Sequence, residues 1–277
     1  MPQTGLYGKM PSVGDFVSRG FSAALCEGLD RLLQSALAAC TSEGADARQL
    51  MEQAKPVMIS IRPGALCSTG FIGLWFPSRD RVGRVFPLCV GLEIDADQSK
   101  LPLFWPSEGL TMLLGTSLMQ VLQAGGGPDE LMAVLPPAAE WQAILGQRIP
   151  FSDVGDETVP DFSYRATLFA LEGPLDRMSL PSRALGSRLP WVVQMLGTVV
   201  GADGRPEWYF GSRTMLSWTH FAALFDGRWA HWEWSVSPLK VEPVMGDETL
   251  PAPLQLSELP MPEITAPTAV PPKEGIA

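Results

Sequence analysis

The sequence predicts an α/β fold built on a sheet covered on both faces. Three observations carry that prediction. The runs VMISIR (57–62), GFIGLWF (70–76) and FPLCVGLEI (86–94) are apolar almost throughout, the mark of strands that see no water on either side. Leucines recur every three or four residues over 23–40 and again over 107–124, which is one apolar face of a helix in each case. The polar link PSRDRVGR (77–84) between the last two strands is short, so these strands are antiparallel neighbours and not the ends of a parallel crossover.

Taken in order, residues 1–20 mix Gly, Pro, Ser and Asp with apolar residues and predict a short strand or loop followed by a turn. Ser22 is placed to cap a helix over 23–40, with Leu25, Leu29, Leu32, Leu33 and Leu37 on its inner face. TSEGAD (41–46) is a loop and ARQLMEQA (47–54) a short helix. After the three strands, Ser107 opens a helix to about 124, ended by GGGP (125–128). Pro128, Asp129 and Glu130 have the composition of a first helical turn. A short helix around Trp141 (138–147) and a polar loop (150–160) follow. SYRATLFALE (163–172) and EWYFGS (207–212) predict strands, while LPWVVQMLGTVV (189–200) fits either type. RTMLSWTHFAALFD (213–226) has helical spacing, and the Trp-rich GRWAHWEWSV (227–236) predicts a last strand or loop. The composition then changes. Residues 1–237 form the predicted domain, and 238–277, rich in proline with six acidic side chains against two lysines, predict a disordered tail or extended arm.

Composition narrows the function classes. Hydrophobic residues make up 46% and charged residues 18%, enough for a large core. A net charge of −10 argues against nucleic acid and anionic membranes, which need lysine and arginine to replace counterions. The N-terminus lacks the basic start and apolar run of a secretory signal, and no stretch approaches the ~20 apolar residues of a membrane span. Cys26, Cys40, Cys67 and Cys89 form no CxxC pair and sit among apolar neighbours, so buried free thiols in a reducing, cytoplasmic setting are expected.

A search for catalytic chemistry finds none. The two histidines, His220 and His231, stand in the Trp-rich C-terminal region, with no GxSxG or HExxH motif. GLYGKMPS (5–12) has the wrong spacing for a phosphate loop, and Met10 stands where Ser or Thr would follow the lysine. Neither a cofactor nor a metal site is expected. Two polar segments stand out, 5–20 and 77–88. Lys9, Asp15, Arg19, Asp80, Arg81 and Arg84 are their charged members, with Ser78 beside them. Asp–Arg pairing that locks the loops is one reading. A charged surface read by a protein partner is the other, and the two are compatible.

These segments carry a resemblance. Gly5, Tyr7, Gly8, Lys9, Pro11, Gly14, Asp15, Phe16, Arg19 and Gly20 form one motif; Pro77, Ser78, Asp80, Val82, Gly83, Arg84, Phe86, Pro87 and Leu88 form another. Together they resemble the TagF (ImpM-like) family of bacterial type VI secretion, over about residues 1–95. Of the Trp-Asp pair that opens the first helix in that family only Asp30 is kept, and EWYFGS is a loose counterpart of its aromatic SLWW strand. The resemblance implies an α/β/α sandwich with a central, largely antiparallel sheet. It also implies a cytoplasmic post-translational repressor that is not an enzyme and binds the secretion machine's forkhead-associated scaffold protein or another of its cytoplasmic components. Two alternatives remain: a stoichiometric assembly component, presenting an apolar patch around Trp208, Trp218, Trp229, Trp232 and Trp234, and a non-classical enzyme acting on a phosphorylated partner.

Overall fold

Strands of the computed structural model join in the order β2-β1-β5-β4-β3-β7-β8-β6-β9. The structure describes residues 3–95, 108–141, 166–172, 195–200, 206–212 and 218–240, all within a unit spanning Met1–Glu242. The strands are β1 (Gln3–Lys9), β2 (Phe16–Arg19), β3 (Val57–Ile61), β4 (Gly70–Phe76), β5 (Leu88–Ile94), β6 (Ala166–Glu172), β7 (Met195–Val200), β8 (Pro206–Ser212) and β9 (Ser235–Lys240). Their neighbours are antiparallel except β6 and β9, which run parallel. The predicted α/β/α sandwich with a largely antiparallel sheet is therefore what forms.

The helices cover the sheet because strand alternation sends apolar residues to both sides. One face carries α1 (Ala23–Ser42), α2 (Ala47–Gln53) and the C-terminal 3₁₀ helix Trp218–Ala222 with the helical turn Ala223–Asp226. Leu25, Leu29, Leu32, Leu33 and Ala36 of α1 meet Ile59, Phe71, Trp75 and Cys89 there. The other face carries α3 (Glu108–Gln123) and α4 (Pro128–Val134), whose Leu114, Leu118, Val121 and Leu131 pack with Leu6, Ile72, Leu74 and Val90. Trp141 is fully buried on this side and donates its indole N–H to Pro136 O at 3.0 Å.

Ser22 caps α1 as expected, its hydroxyl accepting from Leu25 N at 3.2 Å. The same hydroxyl donates to Glu93 at 2.6 Å, and Ser22 N and Thr69 Oγ1 donate to that carboxylate at 2.7 Å each. A buried glutamate of β5 thus ties the start of α1 to the sheet. On the α1 face Gly5, Gly91 and Gly73 stand in one register across β1, β5 and β4. The backbones and the rings of Phe21 and Phe71 come so close that a Cβ on Gly5 or Gly73 would lie 2.4–2.6 Å from a ring carbon.

Several sequence readings are refined. The opening "strand or loop, then turn" is a β-hairpin, β1 and β2, and the ambiguous 189–200 contains strand β7. The Trp-rich segment is tight turns leading into β9, which runs through Lys240 and past the 237 boundary. β9 is an edge strand and contains Pro238, the kind of strand in which proline is found. The segments 142–165, 173–194 and 241–277, with the predicted tail, lie outside the described residues. Among the described residues no helix is long and apolar enough to cross a membrane.

Candidate functional site

The two polar segments meet at one end of the sheet. The β4–β5 link folds into a tight loop: Arg79 bridges Val85, Phe86 N donates to Ser78 O at 3.1 Å, and Asp80 N donates to Arg84 O at 2.9 Å. Gly83, at φ 87°, supplies the left-handed turn the loop needs. Ser78 Oγ donates to Lys9 O at 2.7 Å, and Arg81 N donates to Val13 O at 2.8 Å, which fastens the loop to the β1–β2 turn.

Asp80 is the centre of this junction. Its side chain is fully enclosed. Oδ1 accepts from Val82 N at 3.0 Å and Arg84 N at 2.9 Å; Oδ2 accepts from Lys9 Nζ at 3.1 Å and Arg84 Nε at 2.6 Å. Burial by itself raises the pKa of this carboxyl. The hydrogen bonds from the Arg84 backbone and guanidinium and from Lys9 outweigh it and hold the group well below the usual carboxylate range. Four donors saturate the carboxylate and leave no lone-pair direction for a substrate.

Lys9 reaches Asp80 because β1 alternation places Tyr7 and Lys9 on the α1 face. Lys9 pairs with Phe16 across the hairpin, and its Nζ lies 5.1 Å from the Phe16 ring centroid. Phe16 packs on Phe86 (4.9 Å between centroids) and on Tyr7 (5.8 Å). Tyr7 OH donates to Asp30 of α1 at 2.7 Å; burial, then this bond, push its phenol pKa up. Asp30, the retained half of the Trp-Asp pair, therefore anchors β1 to α1.

The seven sequence-predicted residues do not form one surface. Lys9, Ser78, Asp80 and Arg84 make an inner lock, with Arg84 also donating through Nη2 to Gly14 O. Arg81 and Asp15 are exposed beside it, and Asp15 Oδ1 accepts from Phe16 N at 2.8 Å. Arg19 is elsewhere. It pairs with Leu6, so it projects to the α3–α4 face, where Nε meets Asp129 of α4 at 3.0 Å. Arg48 of α2, which the sequence did not single out, arrives next to Gly83: its Nη2 is 3.3 Å from where a Cβ on Gly83 would lie. Its distance along the chain gave no signal.

The remaining reactive groups serve the scaffold. All four cysteines are free thiols. Burial pushes Cys89 far up and Cys40 up to about 12, with Asp226 adding to the latter, and burial raises Cys26. His231 Nε2 lies 2.8 Å from Glu43 at the end of α1, and buried His220 accepts at its backbone O from Trp234 Nε1. Trp232 and Trp234 are buried and Trp229 partly so, within the α1-side core. Among the described residues no three His, Cys, Asp or Glu side chains are gathered to hold a metal ion.

Comparison with known proteins bears on the two segments directly. Residues 5–136 match the family model described as TagF N-terminal domain, type VI secretion system-associated. No curated protein matches the chain. Among solved structures, it is similar to that of PA0076 from Pseudomonas aeruginosa PAO1, at 23% identity and a TM-score of 0.46, over 81% of this chain and 94% of the other. Both charged segments, the lock and helices α1 to α4 fall inside the matched residues, so that residues 5–136 of this chain are similar to the TagF N-terminal domain, which is type VI secretion system-associated.

Proposed function

We propose that this chain is a regulatory binding protein, not an enzyme, that holds type VI secretion back by occupying a cytoplasmic forkhead-associated scaffold component. The loop end of the sheet, around Gly14 and Arg81–Arg84, is the recognition surface. One observation carries the choice of binding over catalysis: the most perturbed carboxylate of the site, Asp80, is enclosed and saturated by four donors. A general base needs a pKa near the working pH and a free lone pair aimed at substrate; Asp80 has neither. It has what a shape-holding residue needs, since each donor it satisfies fixes one part of the two loops. The match of residues 5–136 to a type VI secretion-associated domain supports the place of action. An assembly role through an exposed tryptophan patch is less favoured, because Trp232 and Trp234 are core residues.

Two measurements test the reading. Deleting the gene should raise secretion, and overproducing the chain should lower it without lowering the amounts of the machine's components. Purified chain and purified scaffold should form a complex in solution. Unchanged secretion in both strains, or measurable turnover of a phosphorylated scaffold by the chain, would overturn it.

A further inference from the structure

The lock leaves a surface around it on which exposed arginines outnumber acids, Asp15 beside Arg81 being the exposed carboxylate there. Asp80 is the one acid within residues 79–84, and it is buried and internally satisfied. Arg79, Arg81 and Arg84 of the same loop are exposed, and Arg48 closes on the loop from α2 against Gly83. The Arg81 guanidinium lies against Gly14, with Nη2 3.4 Å from where a Cβ would stand, and Arg84 donates to Gly14 O. Arg48 and Arg81 thus flank the apex from two sides, and neither side chain makes an ion pair or hydrogen bond among the described residues. At the apex Val82 is 65% exposed, and Phe16 beside Lys9 is 40% exposed. Clustered arginine around exposed apolar side chains is the composition of a protein-binding centre, and it stands here in a chain of net charge −10.

We propose that Arg48 and Arg81, flanking Val82 and Gly83 at the loop apex that Arg84 and Asp80 hold in shape, are a docking site for an acidic segment of a partner protein. This rests on the reading of the loop end as a recognition surface and supplies the chemistry of what it recognises. Charge complementarity selects the occupant. Like-charged guanidinium groups held together repel until carboxylates come between them, and Arg binds carboxylate in a forked, two-bond geometry. Nucleic acid and anionic membrane are long arrays of negative charge that would meet the rest of an acidic chain; a short acidic segment meets only the patch. The apex is also preorganised. The Val82 and Arg84 amides are held on Asp80 Oδ1, so little loop entropy is lost on docking.

The test uses the full chain and two probes: a fluorescein-labelled peptide of mixed Asp, Glu and Leu, and the purified forkhead-associated scaffold. The peptide should bind the natural chain and weaken as salt is raised. The Arg48→Glu/Arg81→Glu double variant should lose at least about tenfold in affinity, and Val82→Asp should weaken binding as well. A peptide with Lys in place of its acids should bind only the double variant. Both arginines are exposed, so the melting temperature should hold; if the reversal unfolds the chain, Arg81→Ala and Arg48→Ala give the same comparison. Failure of the peptide to bind, equal affinity for natural and variant chains, or tighter binding to duplex DNA or phosphatidylserine vesicles would overturn the proposal. If the scaffold binds natural and double-variant chains equally, this inference fails and the proposed partner stands. If the scaffold does not bind but the peptide binds through these arginines, the partner fails and the acidic-segment site stands.

Discussion

Replacing Gly8 with alanine is the sharpest probe of how the site is held. Gly8 has φ 137°, a conformation that costs an L-residue about 1–3 kcal/mol. It also faces the backbone of the neighbouring strand: a Cβ would lie 2.1 Å from Pro87 O and 2.9 Å from Leu88 Cα. No flexible side chain is there to move aside, so β1 must separate from β5 at the Gly8–Leu88 pair, losing about 1–2 kcal/mol of ladder bonding. The two terms add to about 2–5 kcal/mol, a fall in melting temperature of roughly 4–20 °C for a domain of this size. Gly44→Ala is the matched control. Gly44 also has a positive φ, 90°, but nothing stands within 4 Å of its Cβ position, so only conformational strain of about 1–2 kcal/mol is expected. Thermal unfolding by circular dichroism gives both numbers. Displacing β1 also carries Lys9 off Asp80, so Lys9, protected in the natural chain, should become acetylated by an amine-reactive reagent in Gly8→Ala. Equal melting losses for the two variants, with Lys9 still protected, would refute the close approach of β1 to β5.

Other expectations follow from the same geometry. Asp80 has a folded pKa below its unfolded value, so its stabilising contribution is fully present above about pH 4, the unfolded carboxylate range, and is lost as pH falls below it. Asp80→Asn should flatten that acid limb of a stability-versus-pH curve, and an unchanged limb would show that the carboxylate is not held as described. Arg19→Ala should cost no more than about 1 kcal/mol, since its pair with Asp129 is exposed. It should also leave scaffold binding intact, because Arg19 projects to the opposite face; a binding loss equal to that of the Arg81 variants would move the surface. In the native chain, Cys40 and Cys89 should react with a thiol reagent more slowly than Cys67, because raised pKa values and burial deny them thiolate. Mass spectrometry of partly labelled protein would reveal any reversal of that order.

The elements legible in the sequence are those whose pattern is long. Leucine spacing with Ser22 gave α1, and uninterrupted apolar runs gave β3, β4 and β5, because one physical cause acted on many residues. β2 was not legible: FVSR is four residues with Val17 alone buried, too short for a period to show. The charged members of the site were legible as residues but not as an arrangement. Lys9 and Arg19 share a motif, yet the pairings Lys9–Phe16 and Leu6–Arg19 put them on opposite faces, and that parity appears only once the hairpin is known. Arg48 reaches Gly83 through the packing of α2, and Glu93 reaches Ser22 through the register of β5. Neither contact leaves a local trace.

The lock and the surface it supports have to be probed by different residues. Asp80, Lys9 and Ser78 hold the two loops together, so removing any of them changes the shape of the surface as well as its charge. A loss of binding in those variants would follow equally from recognition and from support, and cannot separate them. Arg48, Arg81 and Val82 are exposed and hold none of the side-chain hydrogen bonds of the lock, and their backbone bonds are untouched by substitution. A loss of binding there, with the melting temperature kept, has one physical cause. The same division explains why motif residues and partner-facing residues need not coincide: the glycines and the aspartate build the platform, and the arginines standing on it meet the partner.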